Sequence, residues 1–392
     1  MRNWLLIAAA AIVVVPGIAL ELGAYSVSAP VVGALIFGVS IVGAAFLLSW
    51  AAEALQLDVS QGLALGLLAL IAVLPEYIVD ATFAWKAAED PAYAEYAVAN
   101  MTGANRILIG VAWPMVVLIG WLRWRRKEVA LEPGHGLELV VLLAATAYAA
   151  IIPFKSDISV VDFAVLGSIF AFYIWRLSKL PASPPHLIGP AAAIGALPAG
   201  RRRLVTAALA LAAAVAVIAV AEPFAEALVK TGTEFGIDEF LLVQWLAPLA
   251  SEAPEFVVVA IFAWRGATGA AMGTLVSSKI NQWTLLVGVL PLVYSVALGE
   301  LAALPLTGRQ DEELMLTVAQ TFFAVVIMLD LRLHWYGGLI LFGLFVAGFV
   351  WPDQHVTLSF VYLGLTFAAA VIQRREMGHV FRYVREMLRP AT

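Results

Sequence analysis

The chain has 392 residues, of which 62% are hydrophobic and 13% charged, with a formal net charge of −5 and no cysteine. Soluble domains carry about 45–50% apolar and about 25% charged residues, so this balance excludes an ordinary water-facing fold and points to lipid as the main solvent. The missing cysteines exclude disulfides, zinc–thiolate sites and thiol catalysis. All five histidines (His135, His186, His334, His355, His379) lie in or beside polar stretches, which argues against a histidine-based metal centre.

A bilayer-crossing helix takes about 20 mostly apolar residues. In chain order the sequence offers twelve, at 4–21, 30–55, 60–86, 95–122, 137–153, 160–177, 204–229, 238–264, 270–298, 314–331, 335–351 and 356–373. The first follows Met1-Arg2-Asn3 and reads as an uncleaved helix rather than a signal peptide. Its apolar run is long, and Glu21-Leu22 stands where a small-residue cleavage site would fall. The Lys and Arg residues test the count. With the N-terminus in the cytoplasm, that side receives Arg2, then Arg123, Arg125, Arg126 and Lys127, then Arg176, Lys179 and Arg201–Arg203, then Arg265 and Arg332, and finally Arg374, Arg375, Arg382, Arg385 and Arg389. These seventeen face four on the other side, Lys86, Lys155, Lys230 and Arg309. Positive charge collects on cytoplasmic loops, so the tally supports a multi-pass protein of the cell membrane with both termini cytoplasmic. Arg106 and Lys279 remain, both inside predicted spans.

The chain also repeats itself. Residues 74–86 read LPEYIVDATFAWK and residues 253–265 read APEFVVVAIFAWR. Upstream, AEAL at 52–55 recurs at 225–228, and downstream AVANMTGAN at 97–105 is comparable to AMGTLVSSK at 271–279. Five spans separate equivalent points. The number is odd, so the second copy enters the membrane from the opposite side. Inverted repeats of this kind recur in secondary transporters, with the site near the midplane. The expected fold is therefore an all-α integral membrane protein of about 12 transmembrane helices, with two inverted five-helix repeats and one flanking helix at each end. Its segments are an extra N-terminal helix over 1–29, a first repeat over 30–178, a Pro-rich linker over 179–203, a second repeat over 204–352, and a last helix with a basic tail over 353–392. The tail, QRREMGHVFRYVREMLR, reads as a basic amphipathic helix lying on anionic inner-leaflet lipid.

Glu76 and Glu255 fall deep within their spans, where a carboxylate is costly and marks a candidate functional site. Each follows a proline. Pro75 and Pro254 lack an N–H, so the carbonyls of Ile71 and Ala250 lose their helical partners. Carbonyls with carboxylates make a hard oxygen site for calcium or sodium rather than a soft transition metal. A bland alternative is a proline kink with a protonated glutamic acid bonded to a neighbouring helix.

These motifs resemble the sodium/calcium exchanger (cation/calcium antiporter) superfamily, whose signature is GTSLPE in each repeat followed by a G-S-N-containing helix. The counterparts are IAVLPE at 71–76 with ANMTGANRIL at 99–108, and ASEAPE at 250–255 with GTLVSSKINQ at 273–282. The resemblance implies that Glu76 and Glu255 bind the ion, with main-chain carbonyls at Ala72 and Ser251. It also implies that Asn105, Ser278 and Gln282 line the site. This sequence departs from the pattern at Val73, Glu252, Ala104, Lys279 and Leu108. Copy one thereby loses several side chains that line sodium sites in relatives, which puts the usual sodium-for-calcium stoichiometry in doubt.

Asp80 lies one turn after Glu76, and Glu252 one turn before Glu255, each pair on one helical face. With Arg106 and Lys279 the candidate site holds four acids and two bases. A buried lysine readily gives up its proton. Lys279 therefore either competes with the transported cation and couples transport to protons, or pairs permanently with Glu252 or Glu255. Arg106 is expected to bridge to Asp80. Thus the resemblance and the charges together imply cation antiport by alternating access. Calcium is favoured, with sodium or protons as counter-ion. A sodium/proton-type antiporter using Lys279 and a degenerate, non-transporting scaffold are the rivals. The spans lack the motifs of intramembrane enzymes, and neither a nucleic-acid partner nor a resident cofactor is expected.

Overall fold

A computed structural model describes residues 2–58, 73–179 and 187–374. The first part of the expected third span, Ala72 with it, the first part of the linker and nearly all of the basic tail lie outside these residues. The chain opens with α1 (Arg2–Glu21), α2 (Pro30–Leu55), α3 (Leu74–Lys86) and α4 (Ala92–Ile107), the last continued by a π turn over Leu108–Ala112 and by α5 (Trp113–Trp124). Strand β1 (Glu128–Ala130), α6 (Gly136–Ala149), the short α7 (Ile152–Lys155), β2 (Asp157–Ile158) and α8 (Val160–Leu177) complete the first half. The second half holds α9 (Gly189–Gly195), α10 (Ala199–Phe235), α11 (Glu239–Trp264) and α12 (Thr268–Asn281). A π turn over Gln282–Leu286 leads from α12 into α13 (Val287–Leu298). It ends with β3 (Leu304–Pro305), α14 (Gly308–Val326), β4 (Arg332–His334), α15 (Trp335–Val350) and α16 (His355–Ile372).

Among the described residues, nine helical stretches are long and apolar enough to cross a membrane, and α15 is equally apolar but shorter. Their outer faces carry residues such as Leu211 and Phe360, about 70% exposed, as lipid-facing surfaces require. Several boundaries move from their expected positions. Helix α10 starts at Ala199 and takes in Arg201–Arg203, which the sequence assigns to the linker. Helix α14 starts at Gly308, ahead of the expected 314. A capping box explains this start: the Thr307 side chain takes the backbone N–H of Gln310, and Gln310 returns to the Thr307 N–H at 2.6 Å.

The helices gather into two compact units, each drawing on both halves of the sequence. The first comprises Met1–Asn100, Ala171–Glu255 and Val296–Gly299. Its core joins α1, α2, α9 and α10 around Ile7, Ala44, Leu48, Trp50, Ile194 and Val217. Small residues bring these helices close, as in membrane interfaces generally. Gly38 faces the Phe224 ring, Gly33 faces Ala227, and the Gly17 N–H donates to Ser40 Oγ at 3.0 Å.

The second unit comprises Met101–Phe170, Phe256–Ser295 and Glu300–Thr392. Here α14 packs along α16, and α15 packs against α5 and the first π turn, with Gly110 under the Phe345 ring. Two ribbons, absent from the all-helical expectation, tie this unit together. Antiparallel β1 and β4 place Glu128 opposite His334, and β2 and β3 place Asp157 opposite Pro305. Strands β1 and β3 occupy equivalent places in the two repeats, as do β2 and β4. Exchanging the repeats therefore turns one ribbon into the other, the relation a two-fold axis produces. The π turns obey the same rule, one opening at Leu108 directly after α4 and the other at Gln282 directly after α12.

Candidate cation site

The helix bearing Glu76 begins only just before it, at Leu74. Pro75 occupies the first turn of α3, where its missing N–H costs nothing. Glu76 thus sits at a helix N-terminus, among N–H groups with no partner inside the helix. Glu76 and Asp80 are 2% and 1% exposed, one turn apart on one face. Asn100, fully buried on α4, donates its amide to Asp80 Oδ1 at 2.6 Å. Asp80 Oδ2 and Asn100 Oδ1 are also buried, and no described residue donates a hydrogen bond to either. Buried oxygens with no donor are uncommon, and each can accept positive charge.

The second Pro-Glu motif is built differently. Helix α11 runs unbroken from Glu239 to Trp264 with Pro248 and Pro254 inside it. Each proline withholds an N–H, releasing the carbonyls of Gln244 and Ala250 from the helical ladder. The Ser251 hydroxyl turns back to the carbonyls of Ala247 and Pro248 at 3.2 and 3.3 Å. Ser251 and Glu252 are buried, and Glu255 is half-buried with its Oε1 shielded. The first unit therefore holds Glu76, Asp80, Asn100, Ser251, Glu252 and Glu255. Among the described residues no three His, Asp or Glu side chains form a resident metal cluster. The acids of this unit are dispersed and accompanied by neutral oxygens.

The second unit holds the bases. Lys279 is fully buried and donates Nζ to Asn105 Oδ1 at 2.6 Å and to the Asn105 carbonyl at 3.4 Å. Its ammonium lies 4.4 Å from the Trp283 ring centroid, a cation–π contact. The Asn105 amide in turn donates to the Met101 carbonyl at 2.8 Å, so its orientation is fixed. Gln282 is buried and Ser278 half-buried. The first π turn opens three residues after Asn105 and the second opens at Gln282 itself, and such turns recur where a helix must re-aim side chains at a site.

One expected contact differs. Asp80 accepts from Asn100, while the Arg106 guanidinium forms an ion pair with Glu313 on α14. Glu313 also meets His355 Nδ1 at 3.0 Å. Sequence reasoning singled out neither Glu313 nor the contact, because Glu313 falls just before the span expected there. Glu138 on α6 is the matching buried acid of the first repeat, with His135 at 2.6 Å and the Ser277 hydroxyl at 2.9 Å. His135 lies just outside the membrane-spanning part of its segment. Burial alone disfavours its charged form, but Glu138 outweighs that and raises its pKa.

This arrangement of buried acids and bases on paired, interrupted helices defines a multi-pass membrane exchanger. Residues 29–179 and 205–351 match the model of the sodium/calcium exchanger protein family, and the chain belongs to that family. The crystal structure of the H+/Ca2+ exchanger CAX is 40% identical, covers 99% of either chain and superposes with a TM-score of 0.94. Native YfkE is 17% identical over 92% of this chain and 99% of its own, with a TM-score of 0.65. The sodium-calcium exchanger NCX_Mj is 16% identical over 81% of this chain and 97% of its own, with a TM-score of 0.54. These last two share the fold. No curated protein sequence matches the chain.

Proposed function

We propose that the protein exchanges calcium for protons across the cell membrane by alternating access, with Glu76 and Glu255 as the principal ion ligands. Asp80, Glu252, Ser251 and the carbonyl of Ala72 complete the ligand set, together with Ser278, Asn105 and Gln282. The observation that carries this reading is a pair of buried oxygens, Asp80 Oδ2 and Asn100 Oδ1, to which no described residue donates, with Asp80 one turn from Glu76. A divalent ion supplies the positive charge that such oxygens lack. Protons are favoured over sodium as counter-ion for two reasons. The 40%-identical relative is an H+/Ca2+ exchanger, and Val73, Ala104 and Leu108 offer no side-chain oxygen where relatives place sodium ligands. Lys279 stands where the family asparagine belongs, and in this reading its proton answers to cation entry. Both termini face the cytoplasm, in keeping with the distribution of Lys and Arg.

Flux in proteoliposomes tests the proposal. A pH gradient should drive calcium uptake without sodium, and Glu76→Gln or Glu255→Gln should abolish it. Calcium uptake that answers to a sodium gradient and ignores pH would overturn the choice of counter-ion. Uptake that survives both substitutions would overturn the ligand assignment.

A further inference from the structure

A second buried acid–base cluster is built on two side chains outside the ligand set proposed above. Glu313 on α14 and His355 at the start of α16 are 1% and 4% exposed. Arg106 on α4 donates to Glu313 Oε2. His355 Nδ1 lies 3.0 Å from Glu313 Oε1, and His355 Nε2 lies 3.0 Å from the carbonyl oxygen of Gly348 on α15. Gly348 packs close to the guanidinium, since a Cβ there would stand 3.3 Å from Arg106 Nη2. Four helices therefore meet on two side chains.

A carbonyl oxygen only accepts, and so does an ionised carboxylate. A neutral imidazole has one N–H and one lone pair. A neutral His355 beside an ionised Glu313 would leave a lone pair facing an acceptor at one end of the ring or the other. One more proton removes the conflict, either on Nδ1 or on Glu313 Oε1, with Nε2–H donating to Gly348 in both cases. We propose that Glu313 and His355 together bind one proton, in a site separate from Glu76 and Glu255, and that this proton fastens α16 to α14 and α15.

The surroundings leave few other acids or bases to hold it. On α4 the facing charge is Arg106. On α16 the titratable neighbour is Tyr362, buried beside Arg106. On α14 the neighbour is Gln320, whose amide reaches the Arg106 carbonyl at 3.5 Å. Helix α15 offers the Gly348 carbonyl. Asp311, at the start of α14, turns to the Ser156 hydroxyl, while Glu312 and Asp353 are exposed. Loss of the proton would set acceptor against acceptor where α16 meets its neighbours. The proposal is independent of which ion is carried.

The full chain in detergent provides the test. Thermal unfolding is followed from about pH 6 to about pH 9.5, spanning the range in which histidines exchange protons, for the native chain and for His355→Gln. The native midpoint should fall on the alkaline side by more than that of His355→Gln, because only the native chain has this proton to lose. Parallel curves would overturn the proposal. Should His355→Gln fail to fold, histidine nitrogen NMR of the native chain decides, with the His355 signals assigned through single substitutions of the other histidines. The expected result at neutral pH is either a doubly protonated ring or an Nε2-protonated ring accompanied by a carboxylic-acid infrared band. A neutral ring with no such band would overturn it.

Discussion

Asn100 and Asp80 meet at 2.6 Å in the buried part of the first unit, and each keeps one oxygen that no described donor reaches. This contact aims a carboxylate oxygen and an amide oxygen without neutralising either. Under the proposed function it lends the neighbourhood of Glu76 the hard, oxygen-rich character that calcium prefers.

Removing the charge from this pair while keeping its shape is therefore informative. Asp80→Asn should weaken calcium binding by about tenfold or more, the effect of roughly 1.4 kcal/mol from one lost charge contact. The readout is the calcium concentration needed to raise the unfolding temperature in detergent. An unchanged calcium response would place the ion away from Asp80.

Lys279 is held by Asn105 and by the Trp283 ring, so its ammonium is ordered before any cation arrives. Lys279→Asn should remove the pH dependence of calcium flux while leaving some transport. Flux that keeps its native pH profile in this variant would show that Lys279 is a fixed structural cation.

Away from the membrane-spanning segments, Asp58 accepts two bonds from Arg202 at 2.7 Å and one from Arg203 at 2.9 Å. The Arg202 guanidinium, opposed by burial and aided by Arg203, holds the Asp58 carboxyl well below the usual carboxylate range. A depressed folded-state pKa adds stability above the ordinary value of about 3.9, and that stability disappears as pH falls through the folded-state value. Asp58→Asn should thus lower the unfolding midpoint at neutral pH by roughly 2 °C, and the gap to the native chain should close in acid. A gap that widens in acid would contradict the assignment.

Helix approach can be tested with one methyl group. A Cβ at Gly43 would stand 2.8 Å from the Ala10 carbonyl oxygen, which is backbone and cannot rotate aside. Gly43→Ala should destabilise the chain by about 1–3 kcal/mol through overpacking, whereas Gly364→Ala, with nothing within 4 Å, should be nearly neutral. Equal behaviour of the two in thermal unfolding would remove close helix approach as the reason for glycine at 43.

The Pro-Glu motifs at 75–76 and 254–255 were legible because a carboxylate beside a proline is conspicuous in an apolar run. Lipid leaves few other reasons for it. Their local structures were not legible. One proline opens a helix and the other lies within a continuous one, and only tertiary packing distinguishes these. The partner of Arg106 was hidden for a related reason. Asp311, Glu312 and Glu313 precede the span expected at 314, and the phase set by the Thr307 cap decides which of them turns inward. Asp80 was the nearer acid in sequence, but Asn100 already occupies it. The π turns after Ile107 and Asn281 carry no marker residue of their own. Only the comparison of AVANMTGAN with AMGTLVSSK hinted that these two stretches share a shape.

The two ribbons have a consequence for biogenesis. Asp157 of β2 waits for Pro305, and Glu128 of β1 waits still longer, for His334. The pairings are therefore nested, the inner able to close before the outer. A ribosome that has released only the first repeat leaves both strands with exposed, unmatched edges. The nascent chain must hold them apart from other proteins until most of the second repeat has been threaded into the bilayer.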